Sequence, residues 1–117
     1  MPHQHLRRIN ASLVVALPDH LPAETLPLLR REVEDAIHAA WLAQVIFDLQ
    51  EAVFVDSAGI GLMVAVRHWT SALGKDLYLY RPGATVMKAL GLVHLADVFS
   101  IVDTSQDLDA LLARARP

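Results

Sequence analysis

Between Val45 and Gly61 the chain reads VIFDLQEAVFVDSAGIG, and this run limits the possible folds more than any other stretch. Val45, Ile46, Phe47 and Leu49, then Val53, Phe54 and Val55, form two short apolar stretches rich in β-branched and aromatic side chains, parted by Gln50 and Glu51. Such residues suit buried β structure, so the run is one buried strand with a break, or two segments. Asp56, Ser57, Ala58 and Gly59 follow with helix-capping residue types and a permissive glycine. Ile60 to Leu73 then continues without proline over a helical length. Ser57 therefore falls at or near a helix N-terminus, directly after a strand.

That position has a chemical meaning. The first turn of a helix presents unpaired backbone N–H groups and the positive end of the dipole, so an anion there is tolerated by the fold. A phosphate on Ser57 would add roughly −1.5 to −2 charges and three acceptor oxygens beside Asp56, and a partner packed on it would meet repulsion and a desolvation cost. Ser57 is thus a candidate switch that leaves the fold quiet and changes binding. The competing reading, of equal weight on residue types alone, is that Asp-Ser-Ala-Gly is only good capping chemistry.

The rest of the chain alternates strand-like and helix-like segments. Ala11 to Leu17 (ASLVVAL) reads as a strand ended by Pro18. Pro22 to Pro27 reads as a turn into a helix, with Thr25 as its N-cap and Pro27 confined to the first turn. Leu29, Val33, Ala36, Ile37 and Ala40 recur at helical spacing. Gly74 closes the helix after Ser57, Leu77 to Tyr80 is a further strand, and Pro82-Gly83 is a turn. Thr85 to Leu90 predicts a short helix ended by Gly91, Val98 to Val102 a last strand, and Leu108, Leu111 and Leu112 a C-terminal helix. The alternation implies a single α/β domain over residues 1–117, a small, largely parallel or mixed sheet with about four helices. Residues 1–9 are expected to be poorly ordered or a short edge strand. In the helix after Ser57, Leu62, Val66, Trp69 and Leu73 make one apolar stripe and Ile60, Met63 and Val64 a second. Periodicity favours the longer stripe as core.

Composition removes several function classes. At 117 residues and 54% hydrophobic, the chain is long enough for one real core. A net charge of −3 without a dense basic run argues against a nucleic-acid surface, although Arg114 and Arg116 are locally basic. With no cysteine, thiol catalysis, disulfides and thiolate metal sites are excluded. No run approaches the ~18 apolar residues of a membrane span, and MPHQHLRR lacks the apolar stretch of a signal peptide; a cytoplasmic protein is expected. A serine hydrolase would want Gly-x-Ser-x-Gly, but Val55 stands at the first glycine, and nothing in the sequence orients His94 and Asp97 toward Ser57. His3, His5, His20, His38, His68 and His94 are scattered; His3 and His5 could bind a metal only weakly, and a solvated terminus is the preferred reading. Gly59-x-Gly61 lacks the lysine of a phosphate loop, and Asp103, Asp107 and Asp109 lack calcium-loop spacing. No cofactor or metal is expected.

The run ending DSAGIG, a helix closed by Gly74, then LYLY and TVMKALGLVHLADVF, together resemble the STAS domain of bacterial anti-sigma-factor antagonists. The resemblance covers roughly Ser12 to Ala113. Its most specific part is Asp-Ser-x-Gly after an apolar strand, and the Lys88-Ala89-Leu90-Gly91-Leu92 segment with Phe99 supports the register. It implies a small sheet flanked by helices and a non-catalytic, cytoplasmic protein of partner-switching regulation of transcription. Ser57 would be phosphorylated by an anti-sigma-factor kinase that binds the unphosphorylated form, freeing the sigma factor, and a serine phosphatase would reset the cycle. Asp56, Ser57, Ala58, Gly59, Ile60 and Leu62 would form the partner-binding surface, with Gly59 allowing close approach, in a monomer or weak homodimer. Two further roles fit the same domain: an accessory subunit of a stress-signalling or lipid-transport complex, and a small-molecule- or nucleotide-binding domain.

The chain departs from the family pattern in three places. Leu17-Pro18-Asp19 stands where the family usually carries a glycine after the early strand, which alters a partner-facing loop. The family's first strand has no evident counterpart in the polar Met1 to Arg8. The resemblance also implies that Ile60, Met63 and Val64 face inward and Leu62, Val66 and Trp69 outward, the opposite phase to the periodicity.

Overall fold

The structure, a computed structural model, describes residues 5–19, 22–53 and 55–114. Phe54, the His3 and His20 side chains and the basic Arg116 discussed above lie outside these residues. Five strands form one sheet in the order β1-β2-β3-β4-β5: β1 (Leu6–Ile9), β2 (Ser12–Ala16), β3 (Gln44–Asp48), β4 (Asp76–Tyr80) and β5 (Ser100–Val102). β1 runs antiparallel to β2, and the other pairs are parallel. Four helices intervene or follow: α1 (Thr25–His38), α2 (Ser57–Ala72), α3 (Ala84–Leu92) and α4 (Ser105–Arg114). The chain is therefore a mixed α/β domain.

β2, β3 and β4 are each flanked on both sides in the sheet, and their near-continuous apolar sequences bury both faces. Leu13 and Val15 of β2, Val45 and Phe47 of β3 and Leu79 of β4 point to one face. There they meet Leu29, Val33 and Ile37 of α1, Leu62, Met63 and Val66 of α2, and Val86 and Leu90 of α3. Val14, Ile46, Tyr80 and Val102 point the other way and are covered by Leu111 of α4, with Leu108 and Leu112 beside it. Two layers of unequal size thus cover the sheet, three helices on one face and one on the other.

Polar side chains fix the ends of these helices. The last carbonyls of a helix have no internal partner. In α4 the Gln44 amide nitrogen donates to the Leu111 carbonyl at 3.0 Å and to Ser12 Oγ at 2.8 Å, and the Asn10 amide donates to the Leu112 carbonyl at 3.0 Å. Lys75 Nζ donates to the carbonyls of Ile37 and, at 2.9 Å, Ala39, placing a cation at the C-terminus of α1. At the start of α4 the Thr104 hydroxyl oxygen accepts the Asp107 N–H at 3.1 Å. Arg30 lies 5.2 Å from the Trp69 ring, joining α1 to α2, and Arg8 lies 4.1 Å from Trp41.

Several expectations need correction. Of the two states expected for residues 1–9, Leu6–Ile9 takes the paired edge strand, and it supplies the first strand that had no evident counterpart in the sequence. β3 stops at Asp48, and Val53 and Val55 of the second apolar stretch belong to no strand. The N-cap of α1 is Glu24, with Thr25 already helical and Pro27 at the third position. Gly91 does not end α3; the helix runs to Leu92 and His94, with φ 62°, takes the left-handed turn after it. Gly74, with φ 67°, fills that role after α2 as read from the sequence.

Candidate functional site

Ser57 owes its position to a loop that is plugged from below and capped from ahead. After β3 the chain sinks Leu49, Ala52 and Val55 into the core while Gln50, Glu51 and Val53 stay outside. The Asp48 carboxylate accepts the Gln50 backbone N–H and side-chain amide, each at 3.1 Å, and the Leu49 carbonyl accepts the Ala52 N–H at 3.1 Å. Asp56 is the N-cap of α2: its Oδ1 accepts the Gly59 N–H at 2.9 Å and its carbonyl accepts the Ile60 N–H at 2.9 Å. Ser57 is the first helical residue and is exposed. The loop follows the carboxyl end of β3, which Leu17 and Leu49 N–H groups tie to its neighbours through the carbonyls of Asp48 and Tyr80 at 3.2 and 3.0 Å.

The structure divides the sequence-derived surface in two. Ser57 is exposed, and Asp56, Ala58 and Ile60 are half-buried around it. Leu62, by contrast, is 1% exposed and packs in the larger core, so its side chain belongs to the interior and not to a partner-facing patch. Neither phase expected for α2 describes the helix. Gly59, Leu62, Met63, Val66 and Thr70 face the sheet, Ile60 and Trp69 lie at the margins of the core, and Val64 and Leu73 are exposed. Thr70 meets this apolar setting by donating its hydroxyl to the Val66 carbonyl at 2.9 Å. Leu73 falls off the core at the last turn because the chain is already leaving the helix toward Gly74.

Gly59 also changes meaning. It is buried, and a Cβ placed on it would lie 2.5 Å from Val55 Cγ1. The glycine is required by the loop's own valine, a β-branched side chain with little rotamer freedom, rather than by the approach of a partner. Gly61, two residues on, is exposed with open space where a Cβ would go. The two therefore respond oppositely to alanine. Gly61→Ala gains about 0.5–1 kcal/mol of helix propensity, whereas Gly59→Ala loses about 1–3 kcal/mol to overpacking. Chemical denaturation of the two variants beside wild type checks the signs.

Three residues that the sequence brought up in other connections complete the setting. The Asp19 carboxylate, on the loop between β2 and α1, accepts the Val53 N–H. Val53 itself is 69% exposed and Val64 is exposed on α2, so apolar surface lies on the Ser57 loop and on the helix after it. No local signal joins Asp19 to a residue 34 positions away, and a lone valine in a loop carries no periodicity.

Other chemistry finds no assembly here. Among the described residues no group of three histidine, aspartate or glutamate side chains is placed to hold a metal ion, and no helix is long and apolar enough to cross a membrane. Hollows of about 210, 290 and 190 Å³ are lined by Arg67, Lys75 and Tyr78, by Ile101 and Arg114, and by His5, Pro18 and Glu51, among others. Ser57 lines none of these three.

With this geometry in hand, the chain can be set beside known proteins. It superimposes on SpoIIAA, an anti-sigma factor antagonist, in its unphosphorylated form, with a TM-score of 0.77 and 21% identity over 93% of this chain and 94% of that one. The phosphorylated form of SpoIIAA from Bacillus gives a TM-score of 0.75 and 20% identity, covering 93% and 97%. RsbS from Moorella thermoacetica gives a TM-score of 0.78 and 16% identity, covering 92% of each. At these identities the likeness is one of fold. Residues 3–108 match the sequence profile of the STAS domain, and the chain thus belongs to the STAS domain family.

Proposed function

We propose that this chain is a non-catalytic, cytoplasmic anti-sigma-factor antagonist that acts by partner switching. Unphosphorylated, it binds a protein kinase that otherwise restrains a sigma factor; phosphorylated on Ser57, it lets that kinase go. The observation that carries the reading is the exposed Ser57 at the first position of a sixteen-residue helix, directly after a loop plugged by Leu49, Ala52 and Val55. The binding surface comprises Asp56, Ser57, Ala58 and Ile60 with the exposed Val53 and Val64.

In the transfer step the Ser57 oxygen bonds to the γ-phosphorus of a nucleoside triphosphate held by the kinase. The bond to the diphosphate breaks, and the hydroxyl proton passes to the kinase. The product carries a phosphate next to the Asp56 carboxylate, which is already engaged in capping Gly59. The helix N-terminus accommodates the added charge within the fold, whereas a closely packed partner would have to strip water from it. A serine phosphatase then hydrolyses the phosphoester and restores the binding form.

The test is to purify the tagged chain from its source organism with phosphatases inhibited and to map phosphate by peptide mass spectrometry. A Ser57 phosphopeptide from wild type, absent from Ser57→Ala, together with a co-purifying kinase, is the expected result. A chain that never carries phosphate at Ser57, and that recovers the same proteins whether residue 57 is serine or aspartate, would make Ser57 a helix-start residue and the chain an accessory subunit.

A further inference from the structure

The loop between β2 and α1 reaches across to the loop that carries Ser57. Its stem is anchored: Leu17 is buried and its N–H donates to the Asp48 carbonyl at 3.2 Å, and the ring of Pro18 fixes that residue's own φ and restricts Leu17 before it. Asp19 is therefore delivered from a fixed point, and its Oδ1 accepts the N–H of Val53. Val53 is exposed, and the plugs Ala52 and Val55 on either side of it in the sequence are buried. Val55 in turn fills the space left by the absent Cβ of Gly59, one turn into α2 and two residues beyond Ser57.

We propose that Asp19 is a positioning residue for Ser57: by accepting the Val53 N–H, its carboxylate holds the loop in the shape that presents the serine. This rests on the reading of Ser57 as the phosphoacceptor. The physical basis is the exposed Val53, whose N–H would otherwise return to water and whose dihedrals would then sample other conformations. A carboxylate is the stronger kind of acceptor for such an N–H. Loosening at Val53 passes to Val55, from Val55 to Gly59, and so to the hydrogen bonds by which Asp56 holds the first turn. The two loops thereby behave as one unit, and a partner that engages Asp19 also acts on the serine.

The experiment is amide hydrogen exchange by NMR on the purified full chain, comparing wild type, Asp19→Ala and Asp19→Asn. In Asp19→Ala the Val53 amide exchanges about five- to tenfold faster, the factor given by a hydrogen bond of ordinary net strength. The Gly59 and Ile60 amides accelerate with it, and those of β3 and β4 keep their wild-type rates. Asp19→Asn retains an oxygen acceptor in the same place and brings all three amides back toward wild type. Wild-type exchange at Val53 in the alanine variant would overturn the proposal. So would acceleration confined to Val53, or an asparagine variant that exchanges as fast as alanine. No kinase enters this measurement: a chain never phosphorylated at Ser57 removes the functional reading and leaves the exchange result standing, whereas unaltered exchange removes the role of Asp19 alone.

Discussion

Ser57→Asp is expected to bind the partner kinase at least about tenfold more weakly than Ser57→Ala, a difference of about 1.4 kcal/mol or more. The two variants differ little as folded proteins. Ser57 is exposed and makes up the first residue of α2, where a carboxylate gains about 0.3–1 kcal/mol from the helix dipole. They differ greatly as surfaces. A partner seated on Val53, Ile60 and Val64 must desolvate whatever stands at residue 57, and the neighbouring Asp56 carboxylate already lies beside it. An alanine costs nothing there, while an unpaired carboxylate loses its hydration without gaining a partner. Calorimetric titration of each variant with the co-purified kinase measures the gap. Equal dissociation constants for the two would remove charge at Ser57 as the switch.

The second large effect separates the two sides of the same helix. Leu62 sits among Phe47, Leu79 and Val66 in the larger core with almost no exposed surface, so Leu62→Ala is expected to cost about 2–5 kcal/mol of stability through lost burial and the cavity left behind. Val64, two residues away, is 42% exposed, and Val64→Ala should stay within about 0.5 kcal/mol. Binding should show the reverse order when measured well below the unfolding temperature: Val64→Ala weakens it, and Leu62→Ala, where still folded, leaves it nearly intact. Urea unfolding followed by the two tryptophans gives the first comparison, and the kinase titration gives the second. A Leu62→Ala protein of wild-type stability would place that side chain outside the core.

The contrast at α2 shows how far the sequence could lead. A helix with apolar residues on two stripes announces that it is well covered, but it does not say which stripe meets the sheet. The buried set, Gly59, Leu62, Met63, Val66 and Thr70, takes members from both stripes and adds a glycine and a threonine that no hydrophobic pattern selects. The location of Ser57 was legible because it depends on short-range chemistry, a strand end followed by Asp-Ser-x-Gly. The central strands were legible for a related reason, since burial on both faces leaves near-continuous apolar runs. β1 was legible only as one of two readings of residues 1–9, because Leu-Arg-Arg-Ile at a sheet edge is held by backbone pairing to β2, and backbone hydrogen bonds leave no mark on the side-chain pattern. The second apolar stretch misled in the opposite way: Val55 and Ala52 are apolar because they plug the core from a loop, and plugs and strands ask for the same residues. Asp19 and Gln44 act at long range, and only the folded chain brings them to Val53 and Leu111.

Every strand in this sheet lies next to its neighbours in the sequence. A chain emerging from its N-terminus can therefore lay down β1 against β2, close β3 over α1 and add β4 over α2, with each loop closed across only a few tens of residues. Such wiring allows stepwise assembly, but each parallel pairing has to wait for its crossover helix, which makes it slow. It also sets the hour of greatest risk. The surface formed by Val14, Ile46, Tyr80 and Val102 is complete once β5 has paired, yet its cover, α4, is made only after β5. Until Asn10 and Gln44 catch the end of that helix, a nascent molecule displays a finished apolar sheet to the solvent, the kind of surface that chaperones hold and that neighbouring chains stick to.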